Sequence, residues 1–348
     1  MSTFHKLTIE KIIKETADAV SILFTIPEEL KKAYTFVAGQ YVTLKTTINE
    51  QEVRRAYSIC ASPNSNQLQV AIKKVENGLF STYATSELKE NTILEVSEPE
   101  GKFILQPSAD KNYLAFAAGS GITPVLSMVK SVLETEVSST FTLVFGNQKT
   151  ASTIFYEELN ALSKKHPSQF NLHYIFSKET KEGCKSGRID KDNVTYFVKD
   201  IHKDISFDAA FLCGPEQMIN TTSETLKENG FSADKINFEL FTASASTEDN
   251  SNIEEGKSTV SILLDDEETT FTMDKSDTIL AASLRNKIDA PYSCQGGVCS
   301  SCIAKVTEGK AVMSKNSILS DEELKEGLVL TCVAHPTTSK IVVDYDEV

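Results

Sequence analysis

No stretch of this 348-residue chain stays apolar for long. From Met1 to Ala19 the apolar residues are interrupted by Lys6, Glu10, Lys11, Lys14, Glu15 and Asp18, so the apolar core of a signal peptide is missing. No later stretch reaches the length of a membrane span, and the expectation is a cytoplasmic protein without a membrane partner. Basic residues are also scarce. Lys and Arg total 35 against 49 Asp and Glu, a net charge of -14, which excludes the basic surface that a nucleic-acid partner needs. An even disulfide framework is absent as well: of seven cysteines, four form the motif described next, leaving Cys60, Cys184 and Cys213 as an odd remainder suited to a reducing compartment. The five histidines, His5, His166, His173, His202 and His335, lack metal-ligand spacing, and there is no nucleophile triad, Walker loop or internal repeat.

What is present begins near the C-terminus. Cys294, Cys299, Cys302 and Cys332 follow Cys-x4-Cys-x2-Cys with a distant fourth Cys, the ligand spacing of a plant-type 2Fe-2S cluster. A structural zinc site usually joins two Cys-x2-Cys knuckles, and here one side is Cys-x4-Cys and the fourth ligand stands alone. Gly296 and Gly297 between the ligands let the backbone turn tightly enough to aim N–H groups at sulfur. Such a centre moves single electrons.

The pattern along the chain changes twice. Up to Gln106 short β-branched runs (Val20–Ile26, Tyr41–Thr47, Tyr57–Ala61, Leu68–Val75, Thr92–Val96) alternate with turn signals, predicting a small antiparallel β-barrel over 1–109. From 110 to 241 apolar strands alternate with amphipathic helices at Pro124–Glu134, Phe155–His166 and Pro215–Asn229, the pattern of an α/β doubly wound parallel sheet. Residues 242–257 are rich in Ser, Asn and acid and predict a flexible linker. A mixed α+β domain over 258–348 opens with a hairpin around Asp265-Asp266-Glu267 and a helix from Ile279 to Lys287 that Asp277 can cap. This last part is the acidic one: from Thr242 onward 19 acidic residues face 9 basic ones, a balance of -10. Runs such as Asp265–Glu268 and Asp321–Glu323 are either solvated turns or a surface that steers a basic electron acceptor.

Two further motifs lie upstream. Arg55-Ala56-Tyr57-Ser58 on a strand, followed by Gly78-Leu79-Phe80-Ser81-Thr82 opening a helix, can hold a flavin: a guanidinium and helix N–H groups for pyrophosphate, a tyrosine ring for the isoalloxazine. Either piece alone is also an ordinary surface pair or helix cap. Gly119-Ser120-Gly121-Ile122-Thr123-Pro124 joins the first strand of the parallel region to a helix, where backbone can approach a dinucleotide phosphate. Cys213-Gly214-Pro215 ends a later strand at the same carboxyl edge, and by itself suits a buried Cys before a helix start.

Taken in order, these motifs resemble the ferredoxin–NADP reductase superfamily with a fused plant-type ferredoxin domain, and Tyr292–Cys302, Glu308-Gly309 and Val342–Asp346 extend the likeness over nearly the whole chain. The resemblance implies a β-grasp fold for the last domain. It implies that Arg55, Tyr57 and Ser58 hold FAD, with Ser58 near the flavin N5, and that Gly78, Phe80, Ser81 and Thr82 cradle its pyrophosphate. Gly119, Gly121 and Thr123 would take the pyridine nucleotide, with Cys213, Gly214 and Pro215 beside the nicotinamide. Glu239 and Phe241 match the Glu-x-Phe that closes the nucleotide domain, where the acid lies near the flavin, so Ser58, Cys213 and Glu239 are the expected catalytic residues. The chain departs from the pattern at Gln148, where relatives commonly carry Arg, and at Ser177-Lys178, where the pair that reads the 2′-phosphate of NADPH is Ser-Arg. Lys178 keeps a positive charge, and Arg188 is either a second phosphate contact or a surface charge, so NADPH is expected with NADH possible. The implied partner is an oxygenase component, a diiron oxygenase acting on an aromatic acyl-CoA. Another acceptor, such as a hybrid-cluster protein or a ring-hydroxylating dioxygenase, uses a similar domain set, and a non-enzymatic electron-carrying adaptor is the alternative of a different class.

Overall fold

A computed structural model describes residues 3–241, 256–316 and 318–348. The chain divides into two compact units, Phe4–Phe241 and a C-terminal one whose described part begins at residue 256. The expected linker lies outside the described residues over 242–255, and Lys257 already belongs to a strand.

In the first unit, strands β1 (Phe4–Thr16), β2 (Ala19–Thr25), β3 (Tyr41–Ile48), β4 (Gln51–Ser58), β5 (Leu68–Lys73) and β6 (Ile93–Ser97) form an antiparallel sheet in the order β4-β3-β6-β1-β2-β5, with helix α1 (Leu79–Ser86) between β5 and β6 in the chain. The sheet curls closed where Ile59 bridges Val70 and the Cys60 N–H donates to Gln69 O at 2.9 Å. Its interior is Leu7, Ile9, Ile22, Leu44, Leu68 and Val70, all fully buried. Two differences from the sequence expectation have physical causes. β1, the longest strand of the sheet, is hidden in the sequence because bulges at Ile9/Lys11 and Lys14/Thr16 break its alternation. The strand expected at Tyr57–Ala61 runs instead from Gln51 to Ser58, since its first residues are polar and exposed and carry no apolar signal.

The sequence continues with β7 (Asn112–Ala118), α2 (Ile122–Thr135), β8 (Thr140–Asn147), α3 (Tyr156–Lys165), β9 (Phe170–Phe176), β10 (Lys185–Ser186), α4 (Lys191–Thr195), β11 (Ala209–Cys213), α5 (Glu216–Glu228) and β12 (Ile236–Glu239). The strands form a parallel sheet ordered β10-β9-β8-β7-β11-β12. Leu114, Ala115, Phe116 and Ala117 of the central β7 are fully buried, as a strand covered on both faces requires. The curled sheet is joined to this layer by direct bonds. Ser127 Oγ donates to Ala61 O at 2.7 Å, Lys130 Nζ donates to Cys60 O at 3.1 Å, and the Phe103 and Phe211 rings meet at 5.8 Å.

The C-terminal unit contains β13 (Lys257–Leu264), β14 (Glu267–Asp274), α6 (Ile279–Arg285), β15 (Ile303–Glu308), β16 (Ala311–Met313), α7 (Asp321–Lys325), β17 (Leu328–Leu330), β18 (Ala334–Pro336) and β19 (Lys340–Asp344). The main sheet is ordered β14-β13-β19-β15-β17, with β13 and β19 parallel and the other pairs antiparallel. Asp265 and Asp266, at φ of 55° and 61°, make the two-residue hairpin turn, and their N–H groups donate to the Asp346 carboxylate at 3.0 Å each. That acidic run is therefore part of a turn with its own anion cap. Helix α6 is capped by Thr278, which accepts from the Ala281 N–H at 3.2 Å, and not by Asp277. Asp277 instead pairs with Arg285 at the other end of the helix, because the Thr hydroxyl stands one residue closer to the free N–H groups.

Candidate functional site

Strand order reverses between β7 and β11: β8 and β9 are added on one side of β7, β11 and β12 on the other. A parallel sheet leaves its ligand crevice outside the carboxyl ends of the strands at such a reversal. Gly119–Gly121 form a short 3-10 turn at the end of β7, and Cys213-Gly214-Pro215 end β11 beside it. Gly119 has φ +56° and open space where a side chain would be, so backbone alone lines the crevice there. At Gly121 a Cβ would sit 2.1 Å from the Cys213 carbonyl oxygen, which only glycine allows. The Thr123 hydroxyl, expected to face nucleotide, is buried and donates to Ser120 O at 3.1 Å, holding the turn. Pro215, exposed, precedes α5 at its N-cap.

The curled sheet brings its own motif to this edge. Ser58 Oγ, from the end of β4, donates to Glu239 Oε2 at 3.2 Å across 181 residues of sequence. Glu239 is the register partner of Cys213 on the neighbouring strand, so the three residues expected to be catalytic are gathered at one place. Glu239 retains some solvent access but is walled in by protein; burial raises its carboxyl to about 8, and the Ser58 hydrogen bond only partly offsets that. The Cys213 thiol is pushed well up by burial and then by the Glu239 charge. Such a thiol is neutral and inert as a nucleophile.

Arg55 and Tyr57 share a face of β4. Arg55 is exposed and its Nη1 donates to Arg54 O at 2.7 Å, while Tyr57 packs on Phe80 with centroids 5.6 Å apart. Phe80 is a core side chain at the start of α1, and Ser81 Oγ is spent within the turn, accepting from the Val75 N–H at 3.1 Å and donating to Gly78 O at 3.3 Å. Of Gly78, Phe80, Ser81 and Thr82, the Gly78 and Thr82 N–H groups are already donated, to Val75 O and Gly78 O at 3.0 Å each, which leaves the Phe80 and Ser81 N–H groups and the Thr82 hydroxyl to face an anion. A Cβ at Gly78 would fall 2.5 Å from Ser81 Oγ, which fixes the glycine at the helix start.

At the far end of the same carboxyl edge, Ser177 and Lys178 follow β9 and are exposed, and exposed Arg188 follows β10 on the neighbouring strand. Neither Lys178 nor Arg188 has an ion-pair partner among the described residues. Three residues of this edge were not anticipated. Asn147 Nδ2 is buried without a hydrogen-bond partner, and Glu179, directly after Lys178, gives both carboxylate oxygens to Thr150. The position of Glu179 beside the Ser-Lys pair was the only signal available in the sequence. Phe241 is half-buried against the core of the parallel layer.

In the C-terminal unit the loop after α6 supplies Cys294, Cys299 and Cys302, and the turn after β17 brings Cys332 against it. Cys302 and Cys332 are buried, Cys294 and Cys299 half-buried. The sulfurs lie against one another: hydrogen bonds first from Cys299 and then from Cys332 pull the Cys294 thiol far down, and one from Cys332 lowers Cys302. The Gly296 N–H points at Cys294 Sγ at 3.4 Å and the Gly297 N–H at Cys332 Sγ at 3.3 Å. Left-handed backbone at Gln295 (φ 53°) and Gly297 (φ 68°) produces that turn. Ser293 Oγ, next to Cys294, is buried and unpartnered, a donor left for a group inside the loop. Four thiols, inward N–H groups and an orphan hydroxyl fit an iron–sulfur cluster.

Comparisons with known proteins match three successive parts of the chain. Family models match an oxidoreductase FAD-binding domain over residues 6–104, an oxidoreductase NAD-binding domain over 116–224 and a 2Fe-2S iron-sulfur cluster binding domain over 262–337. The chain is 40% identical over 351 residues to one of the subunits of the 1,2-phenylacetyl-CoA epoxidase of Escherichia coli, covering 99% of each chain. It is 31% identical to the ferredoxin reductase component of 3-ketosteroid-9-alpha-monooxygenase of Rhodococcus rhodochrous, over 97% of this chain and 96% of that one. Among solved structures, phthalate dioxygenase reductase, described as transferring electrons from pyridine nucleotides to 2Fe-2S, matches with TM-score 0.63 and 25% identity over 98% of both chains. No helix among the described residues is long and apolar enough to cross a membrane.

Proposed function

Because this chain belongs to the ferredoxin–NADP reductase family with a fused 2Fe-2S domain, we propose that it takes electrons from NADPH and passes them one at a time to a diiron oxygenase acting on phenylacetyl-CoA. The observation that carries the reading is the meeting, at one strand-order reversal, of Gly119–Gly121, Cys213–Pro215 and the Ser58–Glu239 pair. FAD supplies the conversion between a hydride and single electrons. The residues supply position and charge. Arg55 and the α1 N–H groups would bind its pyrophosphate, and Tyr57 would cover its ring. Glu239, raised to about 8, keeps its proton at neutral pH beside Ser58, so the pair holds a proton where the ring would sit without placing a negative charge there. Gly119 lets the nucleotide approach the backbone, Gly121 lets the turn close onto Cys213, and buried Cys213 closes the crevice floor.

Lys178 and Arg188, uncommitted at the adenosine end, favour the 2′-phosphate of NADPH over the free hydroxyl of NADH. Domains over 1–109, 110–241 and 258–348 then serve FAD, nucleotide and cluster in turn. The acidic C-terminal part steers a basic acceptor, and the free thiols Cys60, Cys184 and Cys213 suit the cytoplasm. Anaerobic NADPH should bleach the flavin of purified protein, and no bleaching by either nucleotide would leave only an electron-carrying adaptor. Turnover reconstituted with the phenylacetyl-CoA oxygenase tests the acceptor. Failure there with success on a ring-hydroxylating dioxygenase would replace the acceptor and keep the reductase.

A further inference from the structure

Glu179 is an acidic residue in the wrong place for a phosphate reader. It follows Lys178 directly, at the adenosine end of the crevice, where a free carboxylate repels a 2′-phosphate and accepts from a ribose hydroxyl. The structure ties it down. The segments after β8 and β9 run side by side, with the Ser177 N–H donating to Asn147 O and the Lys178 N–H to Gln148 O, both at 2.9 Å. This brings Glu179 against Thr150, 29 residues away, and the contact is two-pronged: the Thr150 N–H donates to Oε2 at 2.5 Å and Thr150 Oγ1 donates to Oε1 at 3.1 Å. Thr150 Oγ1 is itself fixed, accepting from Lys181 Nζ at 3.3 Å, and that ammonium also donates to Tyr156 OH at 2.6 Å and lies 4.7 Å from the Tyr156 ring centroid. Lys178 and Arg188 have no such restraint.

We propose that Thr150 is a specificity-determining residue that acts through Glu179: by clamping the carboxylate it holds that negative charge away from the 2′ position, where it would oppose NADPH, and leaves Lys178 and Arg188 to set the potential there. The inference rests on the nucleotide-site reading above. One charge brought near the 2′-phosphate in a water-exposed crevice is worth roughly threefold to tenfold in selectivity.

The test is steady-state flavin-dependent reduction of ferricyanide by the holoenzyme, with kcat/KM measured for NADPH and NADH. T150V keeps the backbone donor but loses the hydroxyl prong and its Lys181 anchor, so the NADPH-to-NADH ratio should fall roughly threefold to tenfold. E179Q alone should leave the ratio within about twofold, because the charge it removes is already held away. T150V/E179Q should restore the wild-type ratio, a rescue that a merely structural role does not give. An unchanged ratio in T150V, equal losses for both nucleotides, or a double variant as shifted as T150V would each overturn the proposal. K178A separates the two readings. If it lowers NADPH use selectively while T150V does not, only the clamp fails; if it changes neither nucleotide, the placement of the adenosine end fails with it.

Discussion

Replacing Gly121 with alanine puts the nucleotide crevice under direct mechanical test. The added Cβ would lie 2.1 Å from Cys213 O, 2.5 Å from its carbonyl carbon and 2.9 Å from Gly214 N, all backbone atoms. No rotamer change relieves a clash between a Cβ and a carbonyl, so the turn before α2 must move away from β11 by roughly 1 Å in a close-packed layer. β11 cannot yield instead, because it is hydrogen-bonded to β7 on one side and β12 on the other. Overpacking of this kind costs about 1–3 kcal/mol, and the upper end applies because only backbone can move. For a unit of this size that is a fall of roughly 5–10 °C in Tm. Gly119 is the internal control. A Cβ there meets nothing within 4 Å, so G119A costs only the left-handed backbone preference at φ +56°, about 1 kcal/mol. Thermal unfolding of the flavin-loaded protein followed by flavin fluorescence, together with anaerobic NADPH titration, measures both effects. G121A should be clearly less stable than G119A and bind NADPH at least about tenfold more weakly than wild type, since a 1 Å misplacement is costly in a positioned site. A G121A variant as stable as G119A would refute the packing argument.

Three further outcomes are expected. Because the Glu239 carboxyl is raised from 4.5 to about 8, the folded chain holds a proton that the unfolded chain releases, so stability falls as pH rises through that window. Urea midpoints for wild type should decline between pH 6 and 8.5, and E239Q should flatten the decline. The opposite sign applies to His173, whose ring is lowered to about 4 by burial and then by His202, its Nε2 partner at 2.9 Å. Stability there is lost as pH falls from 6.5 toward 4, at no more than about 1.4 kcal/mol per pH unit per proton, and H173F should remove that part of the acid sensitivity measured by urea unfolding. Finally, C332S should abolish acid-labile sulfide and single-electron delivery to cytochrome c while leaving anaerobic flavin bleaching by NADPH intact; retained sulfide would overturn the ligand assignment.

The cysteine loop was legible because its logic is local: three ligands within nine residues, with glycine to turn between them. The parallel layer was legible for a similar reason, since strands buried on both faces read as apolar runs, and the amphipathic helices between them, α2, α3 and α5, fall within two residues of their expected bounds. β1 hid because its bulges interrupt the period of two that marks a half-buried strand. The cap of α6 was displaced by one residue because Asp277 and Thr278 are both good caps in sequence, and only the turn geometry chooses between them.

Sequence alone set the kind of chemistry, because thiolate spacing and glycine turns are properties of short segments. What tertiary structure decided is which charges act. Ser58 meets Glu239 across 181 residues and raises the question of a stored proton; Thr150 takes Glu179 out of play across 29. A side chain's pKa and its reach depend on what the folded chain packs against it, and that neighbourhood comes into being only when distant strands align their carboxyl ends.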